Sequence, residues 1–262
     1  MRALRAPLAV HRRPRRVLSV TAMSAVVVTL AAGCSSSGPS PTVAGPSAEA
    51  GVLPSGHVHA VAIDPGDGAT LLATHEGLVE VGPGGELTPS GPVIDLMGFT
   101  VVGPDRHLAS GHPGLRVDLP QPVGLIESTD GGRTWEQLTI PAEPHTLAAA
   151  ADGATVLATT ARGLFRSADA GGSWARVDGA PLLQVVTWAG DGSEVIGVDA
   201  AGTLWRSTDA GDTWEQGARL GSPPHAVTAA AEDGQLRVLV VTDDGLVEST
   251  DGGRTFTTLL SA

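Results

Sequence analysis

Ser128-Thr129-Asp130-Gly131-Gly132-Arg133-Thr134-Trp135 returns three times further along the chain. The later copies are Ser167-Ala168-Asp169-Ala170-Gly171-Gly172-Ser173-Trp174, Ser207-Thr208-Asp209-Ala210-Gly211-Asp212-Thr213-Trp214 and Ser249-Thr250-Asp251-Gly252-Gly253-Arg254-Thr255-Phe256. Their first residues lie 39, 40 and 42 positions apart, a period that marks one supersecondary unit repeated along the chain. The short side chains of Ser and Asp suit hydrogen bonds to the turn's own amides, Gly supplies positive φ, and the aromatic residue anchors a returning strand. Each copy is therefore expected to be a tight turn between two strands.

The segments between the copies repeat as well. In the third unit they read as a strand from His145 to Ala151, an Asp152-Gly153 turn, a strand from Thr155 to Thr160, an Ala161-Arg162-Gly163 turn, a strand from Leu164 to Arg166, the octapeptide, and a last strand from Trp174 to Val177. The fourth and fifth units follow the same plan with Asp191-Gly192 and Asp233-Gly234. A first unit runs from His59 through Thr70–Thr74 and Leu78–Val81, its octapeptide reduced to Gly82-Pro83-Gly84-Gly85. The second, Val93 to Leu138, is longer by a segment between Ser110 and Val123. Five units of four short strands predict an all-β chain folded as a β-propeller of about five blades. A sixth blade is the alternative, if Gly51–Gly56 and Thr257–Leu260 help to build one. No helical period is present after the N-terminal region.

The octapeptides resemble the Asp-box, S-x-D-x-G-x-T-[WF], also called the BNR repeat. The matching positions are Ser128, Asp130, Gly132 and Trp135; Ser167, Asp169, Gly172 and Trp174; Ser207, Asp209 and Trp214; and Ser249, Asp251, Gly253 and Phe256. The resemblance implies a structural role for these residues within a propeller.

Ahead of the repeats stand six arginines, then an apolar run from Val17 to Ala32, the layout of a secretory signal. The run ends in Leu30-Ala31-Ala32-Gly33-Cys34, which resembles a bacterial lipobox, with Ala31 where leucine is usual. Arg15-Arg16-Val17-Leu18 also resembles a twin-arginine signal, so both general and twin-arginine export stay open. The expected organisation is a signal peptide over 1–33, a lipidated Cys34 opening a Ser/Pro/Gly linker over 34–50, and a propeller over 51–262. Such a chain would be held by its lipid on the outer face of a bacterial cytoplasmic membrane. Cys34 is the sole cysteine, so the exported domain has no internal disulfide. Beyond it, 10 arginines stand against 28 acidic residues, an excess that repels nucleic acid and suits a soluble, monomeric domain.

Propeller geometry brings the start of each innermost strand and the turn between second and third strands to one face, and the octapeptides to the other. Ligands bind where loops of several blades converge, at the mouth of the channel. Aligning the units places His59, Asp95, His145, Gln184 and His225 in one slot, one per blade. His57, His75, Glu76 and His112 fall on the same face. Imidazole and carboxylate at a shared rim would suit a divalent transition metal, the one cofactor considered, or a polar ligand such as a glycan or protein segment. The plainer alternative is a ring of polar side chains that bond channel water.

Across most of the exported part the chain also resembles bacterial lipoproteins labelled glycosyl hydrolase-like or exo-sialidase-like. The stretches that carry this are His57-Val58-His59, Gly91-Pro92-Val93-Ile94-Asp95-Leu96-Met97-Gly98-Phe99, Ala109-Ser110-Gly111-His112-Pro113-Gly114 and Gly124-Leu125-Ile126-Glu127-Ser128. Sialidase chemistry needs a tyrosine nucleophile and an arginine triad, and this chain contains no tyrosine. A two-carboxylate glycosidase would fall to Asp95 and Glu76, with Asp199 and Asp243 in equivalent turns. Two readings result, a lipid-anchored binding or assembly module and a glycoside hydrolase.

Overall fold

The computed structural model describes residues 57–262 except 84, 190, 191, 193, 233 and 234. The expected signal peptide, Cys34, the linker and Gly51–Gly56 lie outside the described residues, as do Asp191, Asp233 and Gly234 of two expected turns.

Among the described residues, short apolar runs punctuated by Gly and Asp turns fold into twenty strands, which pair as five antiparallel sheets of four. Blade 1 holds β1 (Val58–Ile63), β2 (Thr70–Thr74), β3 (Gly77–Val81) and β4 (Leu87–Ser90). Blade 2 holds β5 (Ile94–Gly103), β6 (Arg106–Pro113), β7 (Gly124–Ser128) and β8 (Glu136–Leu138). In blade 3 the strands are β9 (Pro144–Ala149), β10 (Val156–Thr160), β11 (Gly163–Ser167) and β12 (Ala175–Arg176). Blade 4 consists of β13 (Leu183–Trp188), β14 (Val195–Asp199), β15 (Thr203–Ser207) and β16 (Glu215–Arg219), and blade 5 of β17 (Pro224–Glu232), β18 (Gln235–Thr242), β19 (Gly245–Ser249) and β20 (Thr257–Ser261). The architecture is the expected β-propeller, and each blade is one contiguous piece of chain.

The repeated octapeptides form the turn from third to fourth strand in blades 2 to 5. In the first of them Ser128 Oγ accepts the Gly132 amide at 2.8 Å and donates to Asp130 Oδ1 at 2.9 Å. Asp130 in turn accepts the Thr134 amide at 2.9 Å and the Thr134 hydroxyl at 2.7 Å. Asp169, Asp209 and Asp251 repeat this pattern. Each turn also seals against the blade before it. A Cβ on Gly132 would lie 2.4 Å from Leu78 of blade 1, and one on Gly253 2.6 Å from Leu204 of blade 4. Arg166 of blade 3 donates to the Ala210 carbonyl at 3.0 Å and pairs with Asp212 at 2.8 Å, both in the blade 4 turn.

Between blades the apolar faces merge into slabs. Leu71, Ala73 and Leu78 of blade 1 meet Leu96, Phe99 and Ile126 of blade 2. Leu108 and Leu125 meet Leu147 and Phe165, Leu157 and Leu164 meet Val186, and Ile196 and Leu204 meet Ala229 and Val238. The innermost strands pack in the same succession, β1 on β5, β5 on β9, β9 on β13 and β13 on β17. Among the described residues no comparable packing joins β17 to β1. Val61 and Ile63 of β1 are consequently 69% and 67% exposed, whereas Phe99, Leu147 and Val186, in the register position of Val61, are 5%, 5% and 3% exposed.

A buried polar contact fastens the first seam on the octapeptide side. Asp64, in the turn after β1, accepts the amides of Gly66 at 2.7 Å and Asp105 at 2.9 Å and the His107 Nε2–H at 3.0 Å. Burial alone would raise the Asp64 carboxyl, but these donors outweigh it and hold the group below the usual carboxylate range.

Truncating Leu147 to Ala is expected to cost about 2–5 kcal/mol, as for a filled core site, while Val61→Ala changes stability by less than about 0.5 kcal/mol. Urea melts of the two variants test this; an equal loss would mean that the blade 1 face is covered. Thr134, Ser173 and Thr213 hydroxyls hold Asp130, Asp169 and Asp209 down to about 2. A depressed carboxyl stabilises the fold above its unfolded value and loses that effect as pH falls through its folded value. The Tm gap between the wild type and Asp209→Asn is therefore expected in full above about pH 4 and to close towards about pH 2. A gap that is the same at both ends would refute the role of that carboxylate.

Candidate functional site

The starts of β1 and β5 and the β2–β3 turn meet at the seam between blades 1 and 2. Thr74 accepts the Glu76 amide at 3.0 Å and donates to the Gly77 carbonyl at 2.9 Å, which shapes the turn that presents His75. His75 Nδ1 lies 2.7 Å from Asp95 Oδ1. His59 Nε2 is 3.8 Å from the same oxygen, and His112 Nδ1 is 3.6 Å from Asp95 Oδ2. His57 Nδ1 stands 3.4 Å from His75 Nε2. Three imidazoles thus surround one carboxylate, and His57 stands behind His75.

The register explains how Asp95 reaches them, and it corrects the alignment of blade 2. In blades 1, 3, 4 and 5 the pairing of the innermost strand skips one residue, and the skipped residues are His59, His145, Gln184 and His225. In blade 2 the residue skipped at the mouth end is Met97, between Leu96 opposite Gly111 and Gly98 opposite Ser110, and a second skip at Val102 lies at the other end of the strand. Asp95 stands two residues nearer the mouth, opposite His112 on a β6 that the long connection of this blade extends to Pro113. Gly111 makes that approach feasible: its φ is +145°, and a Cβ there would lie 1.8 Å from the Asp95 carbonyl oxygen.

His59 is the most enclosed member of the group. Burial, with the neighbouring His75 and His57 rings, pushes its pKa below the ordinary histidine value, while the Asp95 charge pulls the other way. Its Nε2 is shielded from solvent and has no hydrogen-bond partner. The His59 and His75 rings meet edge to face with centroids 4.5 Å apart.

The remaining slot residues make other contacts. His225 Nε2 pairs with Asp243 at 2.6 Å, Gln184 donates to the Pro224 carbonyl at 3.2 Å, and His145 is exposed. Asp199 accepts the amides of Ala201 and Thr203, both at 2.9 Å, and the Trp205 indole at 3.1 Å, which makes it a turn residue. Glu76 is exposed and is engaged through its backbone amide. Several arginines are held away from the imidazoles: Arg106 by Glu127, Arg206 by Glu194, and Arg162 by the Pro141 carbonyl. Two clefts of about 430 and 310 Å³ lie elsewhere, one beside Gln137 and Ile140, the other beside Arg206 and Leu236.

Large apolar side chains rim the same face. Val58, Val93, Met97, Leu115 and Leu182 are all exposed near the starts of innermost strands or on the blade 2 loop. Nothing in the sequence marks them, since an isolated apolar residue in a loop carries no pattern. Nor does the sequence mark His107 and Asp64, whose contact spans 43 positions.

No family model matches the sequence, and no curated protein matches it. Solved structures do resemble it in fold. The GH74 enzyme of Niastella koreensis superposes with a TM-score of 0.55 and 16% identity, covering 78% of this chain and 38% of that one. The structure of YCF48 bound to D1 peptide gives 0.52 and 18%, covering 79% and 67%. A gluconolactonase from Xanthomonas campestris gives 0.54 and 13%, covering 71% and 69%. The chain thus spans well under half the length of the GH74 enzyme. At these identities the likeness is one of fold.

NMR titration of the imidazoles should find His59 below 6.5, and lower again in Asp95→Asn, because the carboxylate is the neighbour that favours its charged form. An unchanged or higher value in the variant would mean that the two groups do not interact in solution.

Proposed function

We propose that this chain is an exported, lipid-anchored propeller that binds a protein segment at the mouth of blades 1 and 2. The observation that carries this is the gathering of His59, His75 and His112 around Asp95, with His57 against His75, beside exposed apolar side chains. Apolar anchors beside a few convergent polar groups are what a peptide-binding surface needs. The exposed side chains of the rim are aliphatic or methionine, and the chain has no tyrosine. YCF48, solved with the D1 peptide, is a propeller of similar fold in a peptide complex. The anchor follows from the basic and apolar N-terminal stretch and from Cys34.

Hydrolysis is the second reading, favoured by the resemblance of the fold to a GH74 enzyme. Asp95, crowded by imidazoles, is poorly placed to share a substrate with an exposed Glu76 as acid and nucleophile.

Incubating the full chain with arrays of short peptides and of glycans tests the two. The expected result is retention by peptides that falls at least about tenfold in Leu115→Asp with His112→Ala and is unchanged in Asp209→Asn on the opposite face. Glycan cleavage abolished by Asp95→Asn and Glu76→Gln would replace binding with hydrolysis. In cells, Cys34→Ser is expected to move the chain from the membrane to the soluble fraction, and a wild type found soluble would remove the anchor.

A further inference from the structure

We propose that His59, His75 and Asp95 form a site for one divalent transition-metal ion of the zinc or copper class. The inference deepens the binding reading of the same mouth and rests on it for its place, though not for its chemistry.

The three donor atoms, one per residue, all lie within 4.8 Å of one another. A tetrahedral zinc ion with bonds of about 2.0–2.2 Å holds its ligand atoms about 3.3 Å apart. His59 Nε2 at 3.8 Å from Asp95 Oδ1 would close slightly onto such an ion, and His75 Nδ1 at 2.7 Å would open slightly. Small side-chain rotations accomplish both.

Hydrogen bonding gives each imidazole its part. At 2.7 Å from the carboxylate, His75 Nδ1 carries the proton of that contact. A metal ion would take that proton's place, and the tautomer it selects places hydrogen on Nε2. That atom faces His57 Nδ1 at 3.4 Å, an acceptor in the right position. His59 Nε2 is already prepared: the atom is buried, makes no hydrogen bond and lies beside the Asp95 oxygen. A buried nitrogen left without a partner is costly unless something fills it. His112, 3.6 Å from Asp95 Oδ2, supports the carboxylate from its second oxygen, as outer residues around metal ligands do.

Two nitrogens and one carboxylate oxygen select the metal class. Magnesium and calcium take oxygen sets, whereas imidazole suits zinc, copper, nickel or iron, and of these copper binds most tightly. With three protein ligands, the remaining coordination position opens to the mouth, where a partner's side chain or water could complete it. The other slots offer no such set: His225 has Asp243, and His145 is exposed among the described residues with no carboxylate paired to it.

The test is calorimetric titration of the full chain, purified without a histidine tag, with zinc chloride, copper chloride and magnesium chloride. The expected outcome is one equivalent of zinc or copper and no magnesium. Affinity should fall more than about 100-fold in His59→Ala and in Asp95→Asn, and about tenfold in His112→Ala, with no change in His225→Ala or His145→Ala. Circular dichroism confirms that each variant is folded. Failure to bind either ion, or binding that depends equally on His225, overturns the site. Peptide retention measured in chelator separates the two ideas: retained peptide without metal binding sinks only the metal, while loss of both sinks the mouth as a binding site.

Discussion

The spacing between neighbouring blades depends on a carboxylate that closes a turn. In four of the five blades an aspartate gathers the serine hydroxyl before it and the amide and hydroxyl of the residue four positions after it. The contact is local, so it forms without waiting for distant chain. Once formed, it turns a glycine to positive φ and presses it onto a leucine of the preceding blade. A local hydrogen-bond pattern thereby sets the distance between neighbouring sheets, which the apolar slabs then fill. Ala170 and Ala210 stand at φ values of 56° and 58° in two of these turns, where the other copies have Gly131 and Gly252. The network over-determines the backbone enough to hold alanine in a region it rarely enters.

This locality explains what could be read from the sequence. Ser, Asp, Gly and an aromatic residue must keep their spacing for the turn to close, so the period of about forty residues is visible without any structure, and strand order follows from it. Features that depend on pairing between distant strands left no such trace. Asp95 and Met97 are two residues apart on one strand, and nothing in their neighbourhood says which of them is skipped; the extended pairing of β6 decides it. The Asp64–His107 contact and the uncovered face of β1 were illegible for the same reason. In both, the decisive partner, or its absence among the described residues, lies on another blade.

The histidine group shows the two kinds of information meeting. That His57, His59, His75, Asp95 and His112 share a face follows from the repeat. That His59, His75 and His112 share a carboxylate follows from an irregularity in it: the long connection of blade 2 raises Asp95 above its slot and towards the imidazoles of blade 1. A regular propeller would have distributed these side chains evenly around the channel, where His145 and His225 still stand. Functional chemistry on a repeat fold arises where one unit departs from its siblings.

Among the described residues no apolar slab joins β17 to β1, so these blades pack as a nearest-neighbour array. A nearest-neighbour array of this kind has ends: an inner blade is clasped on both sides, and an end blade on one. Blade 1 is such an end, and it supplies three of the imidazoles, while the carboxylate and the fourth imidazole belong to blade 2. A body that grasps the group therefore pins the loosest member of the array to its neighbour. Occupancy at the mouth and fraying at the terminus become opposite sides of one equilibrium.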